Sequence, residues 1–176
     1  ANGRPVAHSG TQRTIVIIAG AVILSAAMGT RQTFGLFVSP FALDRGLSLS
    51  VIAVAIALHN LVWGFAQPFA GAAADRYGAT PVVAFGAVAF AGGLALAAIS
   101  SSGTLLILGM GLLVGIGVSC TTFAVVLTSV SRVASPERRS MAMGIASAGG
   151  SLGQFLMVPL TQLVSETSGI AIALYA

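Results

Sequence analysis

The sequence predicts an all-α polytopic membrane protein, and three observations lead to this prediction. The chain is 56% hydrophobic and only 7% charged, whereas soluble domains carry roughly 25% charged residues. Its mean hydropathy is +0.99. Apolar stretches recur at about 20 residues, the length that crosses a bilayer core as a helix with every backbone group bonded internally. A water-soluble globule is therefore excluded.

The first three predicted spans are separated by short polar turns. The first covers about residues 14–38 and is expected to stop before Pro40. The second covers about residues 50–74, and the third about residues 81–100. Pro81 suits the start of a helix, because its missing N–H would be unpaired there in any case.

Two further complete spans follow, and then an incomplete one. The fourth covers about residues 104–131 and the fifth about residues 140–164. A sixth apolar stretch opens at Gly169 and is still apolar at Ala176. At 1.5 Å per residue it would rise only about 12 Å, which does not cross a bilayer. We therefore expect a helix bundle over residues 14–176 that stops inside its sixth helix, as part of a longer protein.

The distribution of arginine predicts the orientation of the bundle. One side of the membrane receives the tail, residues 1–13, and the turns after the second and fourth spans. These segments contain Arg4, Arg13, Arg76, Arg132, Arg138 and Arg139. The opposite side has only Arg45, beside Asp44, and then Glu166. By the positive-inside rule the N-terminal tail is cytoplasmic. The chain contains no Lys but abundant Ala, Gly and Arg, a composition that indicates a GC-rich bacterial genome. The bacterial inner membrane is then the expected location.

The composition of the chain and the spacing of its Arg, Cys, His and Gly residues disfavour several classes of function. Eight arginines spread along the chain do not form the basic field that nucleic acid requires. The single Cys120 allows no internal disulfide. No Cys/His set has metal-ligand spacing, and no glycine-rich loop with a following Lys would hold phosphate. We therefore expect neither catalysis nor a cofactor nor a metal.

Three segments resemble a known family. Residues 71–78, GAAADRYG, fit the pattern G-x-x-x-D-R-x-G between a second and a third span. This segment resembles the signature loop of the major facilitator superfamily. Residues 31–37, RQTFGLF, and residues 137–149, ERRSMAMGIASAG, resemble bacterial relatives of the monocarboxylate transporters and oxalate/formate exchangers. The motif positions in the loop are Gly71, Asp75, Arg76 and Gly78.

The resemblance implies the N-terminal six-helix half of a twelve-helix fold, with the sixth helix incomplete here. A C-terminal half, or a second copy of the chain, is then the missing partner. By the same resemblance, Asp75 interacts across the two halves with the N-terminus of a partner helix and locks one conformation. Its negative charge suits the positive end of a helix dipole.

Arg31 is the only ionisable side chain well inside an apolar stretch. An unpaired charge is costly there, so such residues usually face a cavity or a partner. Its planar guanidinium can donate two hydrogen bonds to a carboxylate, which predicts an anion contact. The alternative is that its long side chain reaches the outer headgroups.

Asn60, Trp63 and Gln67 follow a helical spacing in the second span and share one face. This polar face is interpreted either as the lining of a substrate cavity or as interhelical hydrogen bonding that holds the bundle together. His59 stands beside it and could titrate near neutral pH, although a lone histidine is more often a packing residue.

The later spans offer weaker polar candidates. Gln154 is the best of them and shares a face of the fifth span with Ser147, Gly150 and Ser151. The fourth span has Ser119, Thr122 and Phe123, but hydroxyls in helices often bond to their own backbone. The glycine pairs Gly111-x-x-x-Gly115 and Gly149-x-x-x-Gly153 indicate close helix packing, or else seams where helices slide during a conformational cycle.

Two functional hypotheses follow. The first is the N-terminal half of a secondary active transporter that moves a small organic anion, a mono- or dicarboxylate, by alternating access. The second is a truncated or split membrane protein that does not transport and instead packs or dimerises through its helices as a scaffold. The bilayer is a partner in both.

Overall fold

The computed structural model describes residues 10–43 and 45–168, which form helices joined by short connections. Five helical segments in this part are long and apolar enough to cross a membrane. The prediction of an all-α polytopic membrane protein is therefore confirmed. The first nine residues of the predicted tail, Asp44 and the predicted start of a sixth span at Gly169 lie outside the described residues.

The first span is longer than the sequence predicts. Its α-helix Gly10–Thr33 continues as a 3₁₀ turn, Phe34–Phe37, and then as the short helix Val38–Leu43. The chain thus stays helical through Pro40, where an end was expected. The reason is that Pro40 lies in the first turn of a new helix, where its missing N–H removes no hydrogen bond.

The second span, Leu49–Tyr77, and the third, Ala79–Ala98, follow each other with one residue between them. The Ser48 side chain caps the second span by accepting a hydrogen bond from the Val51 N–H. Gly78 separates the two helices with a φ of 91°, a conformation that favours glycine. Its N–H donates to the Ala74 carbonyl and closes the last turn of the second span.

The fourth span, Gly103–Val133, is central and irregular. In its most apolar window 67% of the residues are buried, against 17–28% in the other four spans. The sequence predicts one uninterrupted helix, whereas the structure contains a π-helical stretch, Ile107–Leu113, and a break at Thr122. Threonine side chains that bond to their own helix favour such distortions, and Thr122 donates its hydroxyl to the Val118 carbonyl at 2.8 Å.

The fifth span runs over Arg139–Ser168, directly after the 3₁₀ turn Pro136–Arg138, and packs closely against the first span. A Cβ added at Gly149 would lie 2.6 Å from the Ala21 carbonyl oxygen, and one added at Gly153 would overlap the Ser25 backbone. Both glycines of this predicted pair therefore allow two helix backbones to touch. Gly111 and Gly115 have the same role between the fourth and second spans.

Arg45 binds the end of the third span, a role that the sequence did not suggest. Its guanidinium donates hydrogen bonds to the Ala97, Ala98 and Ser100 carbonyls, the last at 2.7 Å. It also lies 5.4 Å from the centre of the Phe41 ring. The terminal carbonyls of a helix have no intrahelical partner, so a cation at this position satisfies them and complements the helix dipole.

We expect Arg45→Gln to destabilise the bundle without affecting any binding site. Loss of these charge-assisted hydrogen bonds should lower the free energy of unfolding by about 1–2 kcal/mol. Unfolding in mixed micelles with increasing SDS measures this, with Arg139→Gln at an exposed position as the matched control. Equal midpoints for the two variants would show that Arg45 is dispensable.

Candidate functional site

Arg31 connects the first span to the middle of the second. Its Nη2 donates a hydrogen bond to the Asn60 side-chain oxygen at 2.7 Å. Its Cζ lies 4.4 Å from the centre of the Trp63 ring, and Trp63 is the middle residue of the helix Leu49–Tyr77. The guanidinium thus lies on the polar face of the second span. The two interpretations of Arg31, a cavity contact or a side chain that reaches the headgroups, both remain predictions.

The partners of Arg31 are themselves held in place. The Asn60 amide donates to the Ile56 carbonyl at 2.8 Å, which leaves its oxygen free to accept from Arg31. The Trp63 indole Nε1 donates to the Thr122 hydroxyl at 3.3 Å. This set of contacts, Arg31, Asn60, Trp63 and Thr122, joins the first, second and fourth spans. We refer to these four residues as the arginine cluster.

The charge of the arginine cluster is not neutralised by a described side chain. Among the described residues, the ion pair is between Asp75 and Arg132, which lie where the second and fourth spans end, and it does not include Arg31. The Nε of Arg31 is buried without a hydrogen-bond partner among the described residues. Within that part of the chain, Nη1 has no hydrogen bond either. A cation held in this way attracts an anion, and a guanidinium can offer a carboxylate two parallel donors.

Gln67 and Gln154 do not join the arginine cluster. Both side chains are half-buried, and neither has a hydrogen-bond partner in the part of the chain that the structure describes. Gln154 lies in the fifth span, one residue after Gly153, which packs on the first span. Both residues remain predictions as substrate contacts.

His59 lies beside the cluster in a packed setting. Its side chain is 1% exposed and meets the Phe34 ring edge-on, with the ring centres 5.2 Å apart. The Met110 backbone is close to the imidazole, but neither ring nitrogen has a hydrogen bond of normal geometry within the described residues. This burial favours the interpretation of His59 as a packing residue.

The loop motif lies at the other end of the second span. The Asp75 carboxylate accepts a hydrogen bond from the Arg132 Nη2 at 2.7 Å, and both side chains are more than half exposed. The Arg76 guanidinium lies 5.3 Å from the centre of the Tyr77 ring. A Cβ added at Gly71 would be 4.0 Å from the Ala124 side chain, within ordinary contact. The motif thus ties the second span to the fourth.

Sequence reasoning missed two of the residues that form these contacts, Arg132 and Thr122. The sequence analysis used Arg132 only to predict orientation. The second and fourth spans end on the same side of the bundle, so their terminal residues Asp75 and Arg132 could have been expected to lie near each other. Thr122 was considered weak because hydroxyls often bond to their own helix. No pattern in the sequence marks the helix break that turns Thr122 toward Trp63.

Five apolar helices that are long enough to cross a membrane define the class of polytopic membrane proteins. Comparison with known proteins names the family. The family model of the Major Facilitator Superfamily matches residues 16–176, and the chain belongs to this family. The resemblance noted in the loop motif is thereby confirmed. Membership places the chain among transporters and not among enzymes.

Individual relatives agree with this assignment. The chain is 34% identical to human monocarboxylate transporter 11 over 155 residues, which cover 88% of this chain and 32% of the relative. It is 32% identical to rat monocarboxylate transporter 13 over 148 residues, 84% of this chain and 34% of the relative. The oxalate:formate antiporter of Oxalobacter formigenes is 25% identical over 162 residues, 92% of this chain and 38% of the relative. The chain thus spans roughly a third of the length of these relatives.

Proposed function

We propose that this chain is the N-terminal half of a secondary active transporter that moves a small organic anion by alternating access. The observation that supports the proposal most is the Arg31 guanidinium, which forms no ion pair with a described residue and which Asn60 and Trp63 hold at the middle of the second span. Lipid offers no partner for such a charge, so a water-filled or substrate-filled cavity is its natural surrounding. The printed names of the relatives, monocarboxylate transporters and an oxalate:formate antiporter, agree with a carboxylate substrate.

In this proposal the carboxylate binds end-on to Nη1 and Nη2 of Arg31. The Trp63 ring covers one face of the guanidinium, which reduces its hydration and strengthens its hydrogen bonds to an anion. Gln67 and Gln154 would contact the rest of the substrate from the second and fifth spans. A C-terminal half, or a second copy of the chain, supplies the opposite wall of the cavity.

The location belongs to the same proposal. We infer a bacterial inner membrane with the N-terminus in the cytoplasm, because most arginines fall on one side of the predicted spans. In that orientation Gly71, Asp75, Arg76 and Gly78 face the cytoplasm, where Asp75 and Arg132 would take part in closing the cavity.

Uptake into proteoliposomes tests the function. The chain is reconstituted alone and together with a C-terminal six-helix half taken from a family relative, and radiolabelled formate, acetate and oxalate are supplied outside. Uptake by the combined halves, with little uptake by the chain alone, is the expected result. Uptake in neither preparation, with both proteins inserted, would favour the alternative of a scaffold that packs against other helices.

We expect Asp75→Asn to lower the maximal rate of uptake roughly tenfold, equivalent to about 1.4 kcal/mol in the barrier. The apparent substrate affinity should change less. The physical reason is that Asp75 lies far from the arginine cluster and acts on the conformational step, through Arg132 and a helix end of the partner half. Because the ion pair is exposed, its loss should hardly affect folding.

Initial rates over a range of substrate concentrations separate the two parameters for Asp75→Asn. Glu137→Gln is the matched control, since Glu137 is also acidic and exposed and lies after the fourth span. Unchanged turnover in Asp75→Asn, or equal losses in the two variants, would contradict a conformational role for Asp75.

A further inference from the structure

The break in the fourth span is buried in the bundle. Thr122 has an extended backbone, with φ −109° and ψ −161°, between the helices Val114–Thr121 and Phe123–Val133. Its side chain is fully buried. The helix resumes at once, because the Val125 and Val126 N–H groups donate to the Thr122 carbonyl. The break therefore places one hydroxyl in the interior at a defined position.

The Thr122 hydroxyl both donates and accepts a hydrogen bond. It donates its single hydrogen to the Val118 carbonyl at 2.8 Å. Its lone pairs are then oriented to accept, and the Trp63 Nε1 donates to it at 3.3 Å. This contact satisfies the only polar atom of the indole. It also fixes the tilt of the ring whose face lies 4.4 Å below the Arg31 Cζ.

We propose that Thr122 is a positioning residue for anion binding: it holds the Trp63 ring so that Arg31 is kept in place for a carboxylate. This inference rests on the proposed function, because it presumes that the anion binds at Arg31. Thr122 does not contact the anion in this scheme. It acts through Trp63 and thereby links the broken fourth span to the binding site.

Loss of the hydroxyl should release the indole. In Thr122→Val the side chain keeps its shape, but the Trp63 N–H loses its acceptor and the ring leaves its position under Arg31. The mobile guanidinium then binds an anion more weakly, by about three- to tenfold, as expected for one lost hydrogen bond. Thr122→Ser keeps the hydroxyl and should bind like the unaltered protein.

The chain contains a single tryptophan, so its fluorescence reports on the surroundings of Trp63. Binding of radiolabelled formate and oxalate is measured by scintillation proximity with the two halves combined in detergent micelles, and the emission spectrum of Trp63 is recorded on this chain alone. Thr122→Val should show weaker binding and an emission maximum at shorter wavelength, because the indole loses a polar partner.

The neighbouring threonine provides the matched control. Thr121 is also buried, and its hydroxyl bonds only to carbonyls of its own helix, Gly117 and Val118. Thr121→Val should therefore leave both binding and emission unchanged. Trp63→Phe should weaken binding, and adding Thr122→Val to it should cause no further loss, because the two residues act through one contact.

The outcomes separate the inference from the function on which it rests. If Arg31→Gln abolishes binding while Thr122→Val matches Thr121→Val, the positioning role is wrong and the anion site stands. Additive losses in the Trp63→Phe and Thr122→Val double variant would overturn the inference as well. If the unaltered protein binds no more anion than Arg31→Gln, both proposals fail together.

Discussion

Replacing Arg31 with glutamine is expected to abolish anion uptake. The substitution removes the charge and the two parallel donors, while the shorter amide no longer reaches Asn60 and Trp63 together. Loss of a bidentate, charge-assisted contact to the substrate corresponds to about a 100-fold or greater fall in kcat/KM for uptake. Initial rates of formate and oxalate uptake in proteoliposomes measure it.

Two companion variants make the Arg31 result specific. Arg31→Lys keeps the positive charge without the planar fork, so partial uptake with weaker affinity is expected. Gln32→Ala changes an exposed neighbour in the same span and should behave like the unaltered protein. Uptake by Arg31→Gln at the rate of Gln32→Ala would exclude Arg31 from the transport path.

The second large effect concerns the seam between the first and fifth spans. Gly153→Val should prevent the two helices from packing, because any Cβ at this position overlaps the Ser25 backbone, which cannot move aside as a flexible side chain would. Overpacking of a close helix contact should cost about 3 kcal/mol or more. We expect little monodisperse protein after extraction and a strongly lowered melting temperature.

Gly144→Val is the matched control for this packing prediction. Gly144 lies in the same helix, Arg139–Ser168, but a Cβ added there meets nothing within 4 Å. Normal yield for Gly144→Val beside failure of Gly153→Val would locate the effect at the seam. Equal yields would mean that the backbones are further apart than the structure places them.

The candidate site was only partly predictable. Arg31 was identifiable because a charge within an apolar stretch is rare, and Asn60 and Trp63 because they share a helical face. The structure brings these three into contact. Gln67 and Gln154 satisfied the same sequence criteria, yet they lie outside the arginine cluster. Sequence spacing places residues on one face of a helix but does not say which neighbouring helix that face meets.

The irregular elements could not be read from hydropathy. The fourth span is apolar from end to end, so its π-helical stretch and its break at Thr122 leave no trace in a hydropathy profile. The short helix Val38–Leu43, which follows the first span and contains Pro40, was missed for a related reason, since proline is compatible with either the end of one helix or the first turn of another.

Composition and the length of the apolar stretches are enough to predict that the chain crosses lipid repeatedly as helices, and the motif at residues 71–78 is enough to suggest the Major Facilitator Superfamily. These properties depend on residues that are close together in the chain. The contacts of Arg31 with Asn60, of Trp63 with Thr122 and of Arg45 with the end of the third span become visible only in the folded bundle. A membrane helix is apolar on nearly every face, so its rotation against its neighbours depends on close packing and interhelical hydrogen bonds, which hydropathy does not record.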